Sequence, residues 1–207
     1  MFTGLIQEIG EVKKAERTSY GMRVKIFSPQ IAKDLNKGDS VAVNGVCLTA
    51  ADIDKDTVVF DAVKNTLKQT GQKRLRAGDP VNMEGAAKVG DKIGGHIVSG
   101  HVEGERTVRK NAKTSDGWIL EVNMESGDEK YLVAKGSVAI DGVSLTVSDV
   151  HSGFFRAFLI PVTIEKTILK LKKTGDYVNV EFDLAAKYYA RSTAADLTKE
   201  KLQSSGF

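Results

Sequence analysis

Cys47 and Ser144 sit at the centre of one phrase spelled twice. Residues 43–50 read VNGVCLTA, and residues 140–147, 97 positions later, read IDGVSLTV. The flanking Gly, Leu and Thr are kept, so the backbone is expected to be alike in both copies. The reactive atom changes from a thiol to a hydroxyl. Near neutral pH a thiol is partly thiolate, whereas a serine hydroxyl needs a base to act as a nucleophile. Two such sites would bind alike and act differently. A lone cysteine is also often a small buried hydrophobe, and chemistry alone leaves both readings open. A second reactive stretch is KIGGHIVSGHVEG, 92–104, which holds His96 and His101. Neutral imidazole is the natural proton carrier near pH 7, and glycines at 94, 95 and 100 let backbone approach closely. On a regular strand a spacing of five puts the two histidines on opposite faces, which argues against a shared metal. Judged alone, each is more readily read as a satisfied structural histidine than as a catalytic one. No dinucleotide fingerprint, phosphate loop or GxSxG elbow is present.

These residues need elements to position them, and the repeat supplies the plan. Laid at a constant offset of 97, Ser40–Glu84 matches Ser137–Glu181 at 16 of 45 positions without a gap. FTGLI at 2–6 resembles VSGHV at 98–102 at an offset of 96. A period this long means tandem domains rather than a solenoid. Within each copy, short β-branched runs such as GMRVKIF, SVAVN, TVVFDAV and PVNME are separated by Gly, Asp, Asn and Lys, which reads as strands and turns. Helices are brief, at 31–35 and 65–70. Many short strands suggest a small antiparallel barrel, whose closure removes exposed edges. The tail from Leu184 to about Gln203 turns helical, with Ala186, Ala190, Ala194 and Leu197 on one stripe. Such a helix is marginal alone and is expected to pack on a neighbouring subunit or on its own domain.

Composition excludes several classes. The chain has 207 residues, 41% of them hydrophobic, enough for one large or two ordinary domains and too apolar for disorder. Thirty basic and 27 acidic residues are mixed along the chain, so no stripe for nucleic acid emerges. Aromatic residues are 7% of the chain and do not interleave with Lys and Arg as a stacking platform would require. No apolar run approaches the ~20 residues that cross a bilayer, and the first residues lack a secretory pattern. With a single cysteine, the chain is expected to be cytoplasmic, with no membrane role.

Five stretches now carry a resemblance. MFTGLI, VNGVCLT, GGHIVSGHV, KGSVAIDGVSLTV and IPVTIEKT resemble the riboflavin synthase family, in that family's order and over about residues 1–190. The resemblance implies an all-β fold of two tandem six-stranded Greek-key barrels related by duplication, followed by a C-terminal α-helix. The expected domains are 1–96, 97–186 and a trimerisation helix and tail at 187–207. It implies dismutation of two 6,7-dimethyl-8-ribityllumazine molecules, giving riboflavin and 5-amino-6-(D-ribitylamino)uracil, with no metal and no cofactor. It implies a homotrimer in which the N-terminal barrel of one subunit meets the C-terminal barrel of another, and it leaves association with lumazine synthase open. Non-catalytic lumazine or flavin antenna proteins share the fold and form the alternative.

The resemblance also implies roles. His101 with Thr146 is the candidate pair for proton transfer at the lumazine methyl group. Ser40 and Cys47 belong to the N-terminal pocket, and Lys135, Ser144 and Asp183 to the C-terminal side. Backbone at Gly4, Leu5, Ile6, Cys47, Leu48, Thr49, Gly100, His101, Val102, Ser144, Leu145 and Thr146 would read the pyrimidinedione edge. Asp61, Ala62, Val63, Lys64, Asn65 and Thr66, and in the second copy Ile160, Pro161, Val162, Thr163, Ile164 and Glu165, would line ring and ribityl chain. Two departures stand out: Asn65 replaces the family's usual Glu and carries no charge, and Ile164 stands where Leu is usual.

Overall fold

A computed structural model describes residues 1–194. Alternation of side chains decides the strands. In the segment Gly21–Phe27, Met22, Val24 and Ile26 are buried while Arg23 and Phe27 face water, the period-two signature of a sheet with one wet face. Six strands form in the first copy: β1 Glu8–Arg17, β2 Gly21–Phe27, β3 Ser40–Val43, β4 Val46–Asp54, β5 Thr57–Val63 and β6 Pro80–Gly85. They pair antiparallel in the order β1–β2–β5–β4–β3–β6, and β6 pairs back to β1 to close a barrel. The second copy repeats this with β7 Gly104–Thr114, β8 Gly117–Asn123, β9 Ser137–Ile140, β10 Val143–His151, β11 Phe154–Leu159 and β12 Tyr177–Phe182. Each barrel wraps its own apolar core, around Phe60, Ile26 and Met83 in one and Phe155, Leu120 and Phe182 in the other.

Detail is duplicated as well as outline. β1 bulges between Val12 and Lys14, and β7 between Val108 and Lys110; β4 bulges between Ala50 and Asp52, and β10 between Val147 and Asp149. Bulges bend strands and so set barrel curvature. Short helices α1 Pro29–Lys33 and α2 Lys64–Gln69 serve the first copy, and α3 Pro161–Lys166 matches α2 in the second.

The repeated phrase contains the joint between the barrels. β3 and β4 are linked by Asn44-Gly45, and β9 and β10 by Asp141-Gly142, with φ of 46 and 77°, and 44 and 81°. Two residues with positive φ make the hairpin turn whose twist suits paired strands. The turns touch: a Cβ on Gly45 would lie 2.6 Å from Gly142 N. Around them Asn82 Nδ2 donates to Asp141 O (2.9 Å), and Asn179 Nδ2 donates to Asn44 O (2.8 Å), a buried reciprocal pair.

Helix α4 spans Leu184–Ala194, beginning at the Leu184 expected from composition and ahead of the domain boundary at 187 that the resemblance implied. The Asp183 side chain accepts from Ala185 N–H at 2.9 Å at its start. Ala186 and Ala190 are half-buried, whereas Tyr188 and Tyr189 are about 70% exposed. Leu197 and the rest of the expected tail lie outside the described residues. No helix among the described residues is long and apolar enough to cross a membrane.

Candidate functional site

Each barrel is entered by a strap from just before its first strand, and each strap is pinned by a buried carboxylate. Glu84 accepts from Thr3 N–H (2.7 Å), Thr3 Oγ1–H (2.8 Å) and Gly4 N–H (3.0 Å). Glu181 accepts from Ser99 N–H (2.7 Å), Ser99 Oγ–H (2.6 Å) and Gly100 N–H (2.9 Å). Burial pushes the Glu84 carboxyl above its ordinary value, and the Thr3 and Gly4 donors pull part of the way back. The straps then cross over. Ser144 N–H donates to Gly4 O (2.8 Å), and Cys47 N–H donates to Gly100 O (3.0 Å). A Cβ on Gly4 would lie 2.5 Å from Ser144 Cβ, and one on Gly100 2.5 Å from Cys47 Cβ. Each reactive side chain is therefore seated against the strap of the other copy.

The C-terminal barrel holds a cavity of about 510 Å³ lined by Lys135, Ser144, Leu145, Thr146, Phe158, Ile160 and Thr163, among others. That volume suits one fused-ring molecule. Seven residues expected from sequence thus converge there or on its rim: Lys135, Ser144, Leu145, Thr146, Ile160 and Thr163 line it, and Val162 lies on the adjoining helix α3, exposed. Pro161, Ile164 and Glu165 belong to the same helix. Lys135 has φ of 71°. A non-glycine residue in that left-handed region costs ~1–2 kcal/mol. Its match in the first copy is Gly38, φ 94°, which carries no such penalty, and each N–H closes the same contact, to Val147 O and Ala50 O. The chain accepts strain at the one of these two positions that presents an ammonium to a cavity.

The N-terminal side differs in lining. Cys47 is half-buried and in no disulfide. Asp61, which matches Phe158, is clasped by Arg23 through two hydrogen bonds of 2.8 and 2.7 Å and by the Tyr20 hydroxyl at 3.0 Å. The Arg23 hydrogen bonds hold the Asp61 carboxyl below its usual range. Ala62 points into the core, so only its backbone is available to a ligand. Val63 is 52% exposed, and Lys64, Asn65 and Thr66 open helix α2, with Asn65 facing solvent. Ser40 pairs with Thr49 across β3 and β4 and borders a separate cleft of about 650 Å³. Leu48 and Val102 are buried in the first core, while Leu5 is exposed and Ile6 packs on the second core.

One placement differs from what spacing implied, and two residues that the resemblance put in the site lie apart from the Lys135 cavity. The segment holding the histidines is not a strand; its one ladder contact is the Phe2–Val98 bridge. His101 is exposed beside Gly100, next to Cys47, and shares neither a hydrogen bond nor the Lys135 cavity with Thr146 among the described residues. Asp183 borders a neighbouring apolar cleft with Tyr131 and Tyr189. The contact that sequence reasoning missed is His96: its Nδ1 lies 2.7 Å from Ser144 Oγ. The repeated Glu at 84 and 181 was also overlooked, although its recurrence after VN in both copies was a visible signal. A larger cleft of about 610 Å³ between the barrels, beside the Asp141–Lys172 ion pair (2.8 Å), contains none of the expected residues.

Two closed barrels, each with a strap-seated residue of the repeated phrase, define a protein built from a tandem repeat of one barrel domain. The chain belongs to the lumazine binding domain family, which matches it twice, over residues 3–86 and 99–183. Among full-length relatives, riboflavin synthase of Bacillus subtilis (strain 168) is 36% identical and covers 100% of both chains. Riboflavin synthase of Chlamydia pneumoniae is 40% identical over 100% of this chain and 99% of that one. The crystal structure of LumP complexed with 6,7-dimethyl-8-(1'-D-ribityl) lumazine matches with a TM-score of 0.79 at 25% identity, over 88% of this chain and 99% of that one.

Proposed function

We propose that the chain catalyses riboflavin synthase chemistry in the cytoplasm: two 6,7-dimethyl-8-ribityllumazine molecules exchange a four-carbon unit and leave as riboflavin and 5-amino-6-(D-ribitylamino)uracil. The two products contain all the atoms of the two substrates, so the reaction needs no external oxidant or reductant. The observation that carries this reading is a full-length likeness to riboflavin synthases in a chain whose two cradles share a backbone yet present different reactive atoms, Cys47 and Ser144.

The protein's task is chiefly to hold two rings together, since positioning offsets up to ~7–11 kcal/mol of a bimolecular barrier. Acid–base help adds ~10²–10⁴-fold. Lys135 would stabilise the anion left when a lumazine C7 methyl group loses a proton. His101 and Thr146 would move that proton, and their separation within one chain favours a site shared between subunits, the N-terminal barrel of one facing the C-terminal barrel of another in a homotrimer. Helix α4, with Tyr188 and Tyr189 exposed, would supply the seam. Truncation after Ala186 then lowers the sedimentation mass towards that of a monomer; an unchanged mass would remove α4 from assembly.

The likeness to LumP favours a second reading, a binding protein that does no chemistry. Incubation with 6,7-dimethyl-8-ribityllumazine separates them. Two substrates consumed for each riboflavin formed supports the enzyme; tight binding without consumption supports the carrier.

A further inference from the structure

The two barrels differ in charge at one cross-strand pair beside the cradle. In the first copy Arg23 on β2 pairs with Asp61 on β5, and in the second Ile119 on β8 pairs with Phe158 on β11. Both pairs hold the same place in the fold. β2–β5 and β8–β11 are matching neighbours in the two barrels, and Arg23 and Ile119 each stand two residues beyond the glycine that opens the strand, Gly21 or Gly117. Phe158 lines the Lys135 cavity, so Asp61 stands on the matching wall of the first cradle.

Asp61 is clasped but not exhausted. Its Oδ1 accepts from Arg23 Nε–H and from the Tyr20 hydroxyl, and its Oδ2 accepts from Arg23 Nη2–H alone. A carboxylate offers about four acceptor sites, so Oδ2 keeps one. The exposed Arg23 guanidinium keeps N–H groups beyond the two it gives to Asp61. A spare acceptor beside a spare donor fits neighbouring hydroxyls, each of which donates and accepts, and both bonds are strengthened by charge. Tyr20 and Arg23 are exposed, so the part of a ligand that meets them is the part left near water. The second copy has nothing comparable. Ile119 is buried, and Phe158, Ile160 and Val162 give that mouth an exposed apolar rim. The hydroxyls of that cavity are uncharged, and Ser148 gives its hydrogen to Asp149 (2.7 Å).

A ribityllumazine has two unlike ends, a flat ring and a chain of hydroxyls. We propose that the Arg23–Asp61 pair, with Tyr20, makes the N-terminal cradle discriminate by the polyhydroxy chain, whereas Ile119 and Phe158 at the same place make the C-terminal cradle discriminate by the ring. The inference rests on the proposed function and deepens it, because it assigns different substrate specificity to the two sites that take the same molecule. Its size follows from what is left behind when the chain is missing. A site built to bond a hydroxyl rejects the analogue without it by up to ~10⁴–10⁵-fold where the deserted groups are buried and unpaired. Asp61 and Arg23 retain each other and meet water, so the first cradle loses ~10–100-fold. Ile119 and Phe158 leave no polar group unpaired, so the second loses less than ~5-fold.

The test compares riboflavin with lumiflavin, the same tricyclic ring carrying a methyl group in place of the ribityl chain. Quenching of flavin fluorescence by full-length protein gives the number and the affinity of the sites. Riboflavin is expected to fill two sites per chain; lumiflavin matches it within ~5-fold at one and binds ~10–100-fold more weakly at the other. Asp61→Phe copies the second barrel and is expected to bring the two flavins within ~5-fold of each other at both sites. Phe158→Ala is expected to weaken both flavins alike, ~10-fold, at one site. Should Asp61→Phe fail to fold, Arg23→Met at an exposed position decides in its place, weakening riboflavin ~10-fold at one site and lumiflavin less than ~3-fold. Lumiflavin equal to riboflavin at both sites of the wild-type protein, or weaker at both, or a gap that survives Asp61→Phe, overturns the inference and leaves the proposed function standing. So does a Phe158→Ala protein that loses riboflavin alone. Wild-type protein that shows the two-site pattern but converts no lumazine to riboflavin overturns the proposed function and leaves the two specificities intact; wild-type protein that binds neither flavin overturns both.

Discussion

The N-terminal and C-terminal barrels share strand order, bulge positions, hairpin turns and the carboxylate that pins the preceding strap. They part at a few positions around the cradle: Gly38 against Lys135, Cys47 against Ser144, Asp61 against Phe158 and Ala86 against Asp183. The shared features are those that close a barrel and seat a strap. The divergent ones set charge, acidity and apolar contact. On the proposed function, duplication would have kept the holder and divided the chemistry, with a cation and a half-buried imidazole on one side and a thiol on the other.

That comparison can be broken most forcefully at the straps. Gly4→Ala and Gly100→Ala each force a Cβ into the opposite copy's reactive residue at φ of 75 and 81°. Overpacking of ~1–3 kcal/mol and backbone strain of ~1–2 kcal/mol add up to a cost of ~2–5 kcal/mol. The crossing of the straps makes a specific forecast: Gly4→Ala spoils the C-terminal cradle and Gly100→Ala the N-terminal one, each leaving one ligand per chain by calorimetry. Loss of both ligands from either variant would show that the cradles do not separate. Next, Lys135→Gly copies the first barrel. Turnover falls ~10–100-fold, yet relief of strain raises Tm by ~2–4 °C; a lower Tm would mean that Lys135 serves the fold. Cys47→Ser copies the second barrel, and slows turnover by ~10-fold with both ligands still bound. A wild-type rate there would reduce Cys47 to a packing residue.

The smallest effect concerns pH. Because the folded pKa of Glu84 is raised, the folded chain holds that proton more tightly than the unfolded chain. The stability this contributes is complete below the unfolded value near 4.5 and is lost as pH rises through the raised value. Urea midpoints of wild-type protein and Glu84→Gln should show a wild-type advantage that shrinks as pH climbs from about 4.5; an advantage that grows with pH would reverse the assignment.

Much of this was legible in the chain. The runs GMRVKIF and TVVFDAV are strands β2 and β5 residue for residue, because alternation with β-branched residues leaves little choice. The repeated phrase announced the duplication, but part of its repetition serves the joint: Asn44-Gly45 and Asp141-Gly142 are retained as touching turns, apart from any ligand. His96 escaped because its partner lies 48 residues away and across the barrels, beyond any local period. The strain at Lys135 escaped because a lysine opposite a glycine in an alignment looks like a surface substitution until its φ is known.

The central claim is that both cradles hold a ring at once. Calorimetric titration of the full chain with riboflavin, a ligand that cannot be consumed without its pyrimidine partner, counts them. Two molecules per chain, falling to one in Gly4→Ala, is the predicted result; a single molecule at saturation in the unaltered protein, with no second event at any concentration reached, would contradict it.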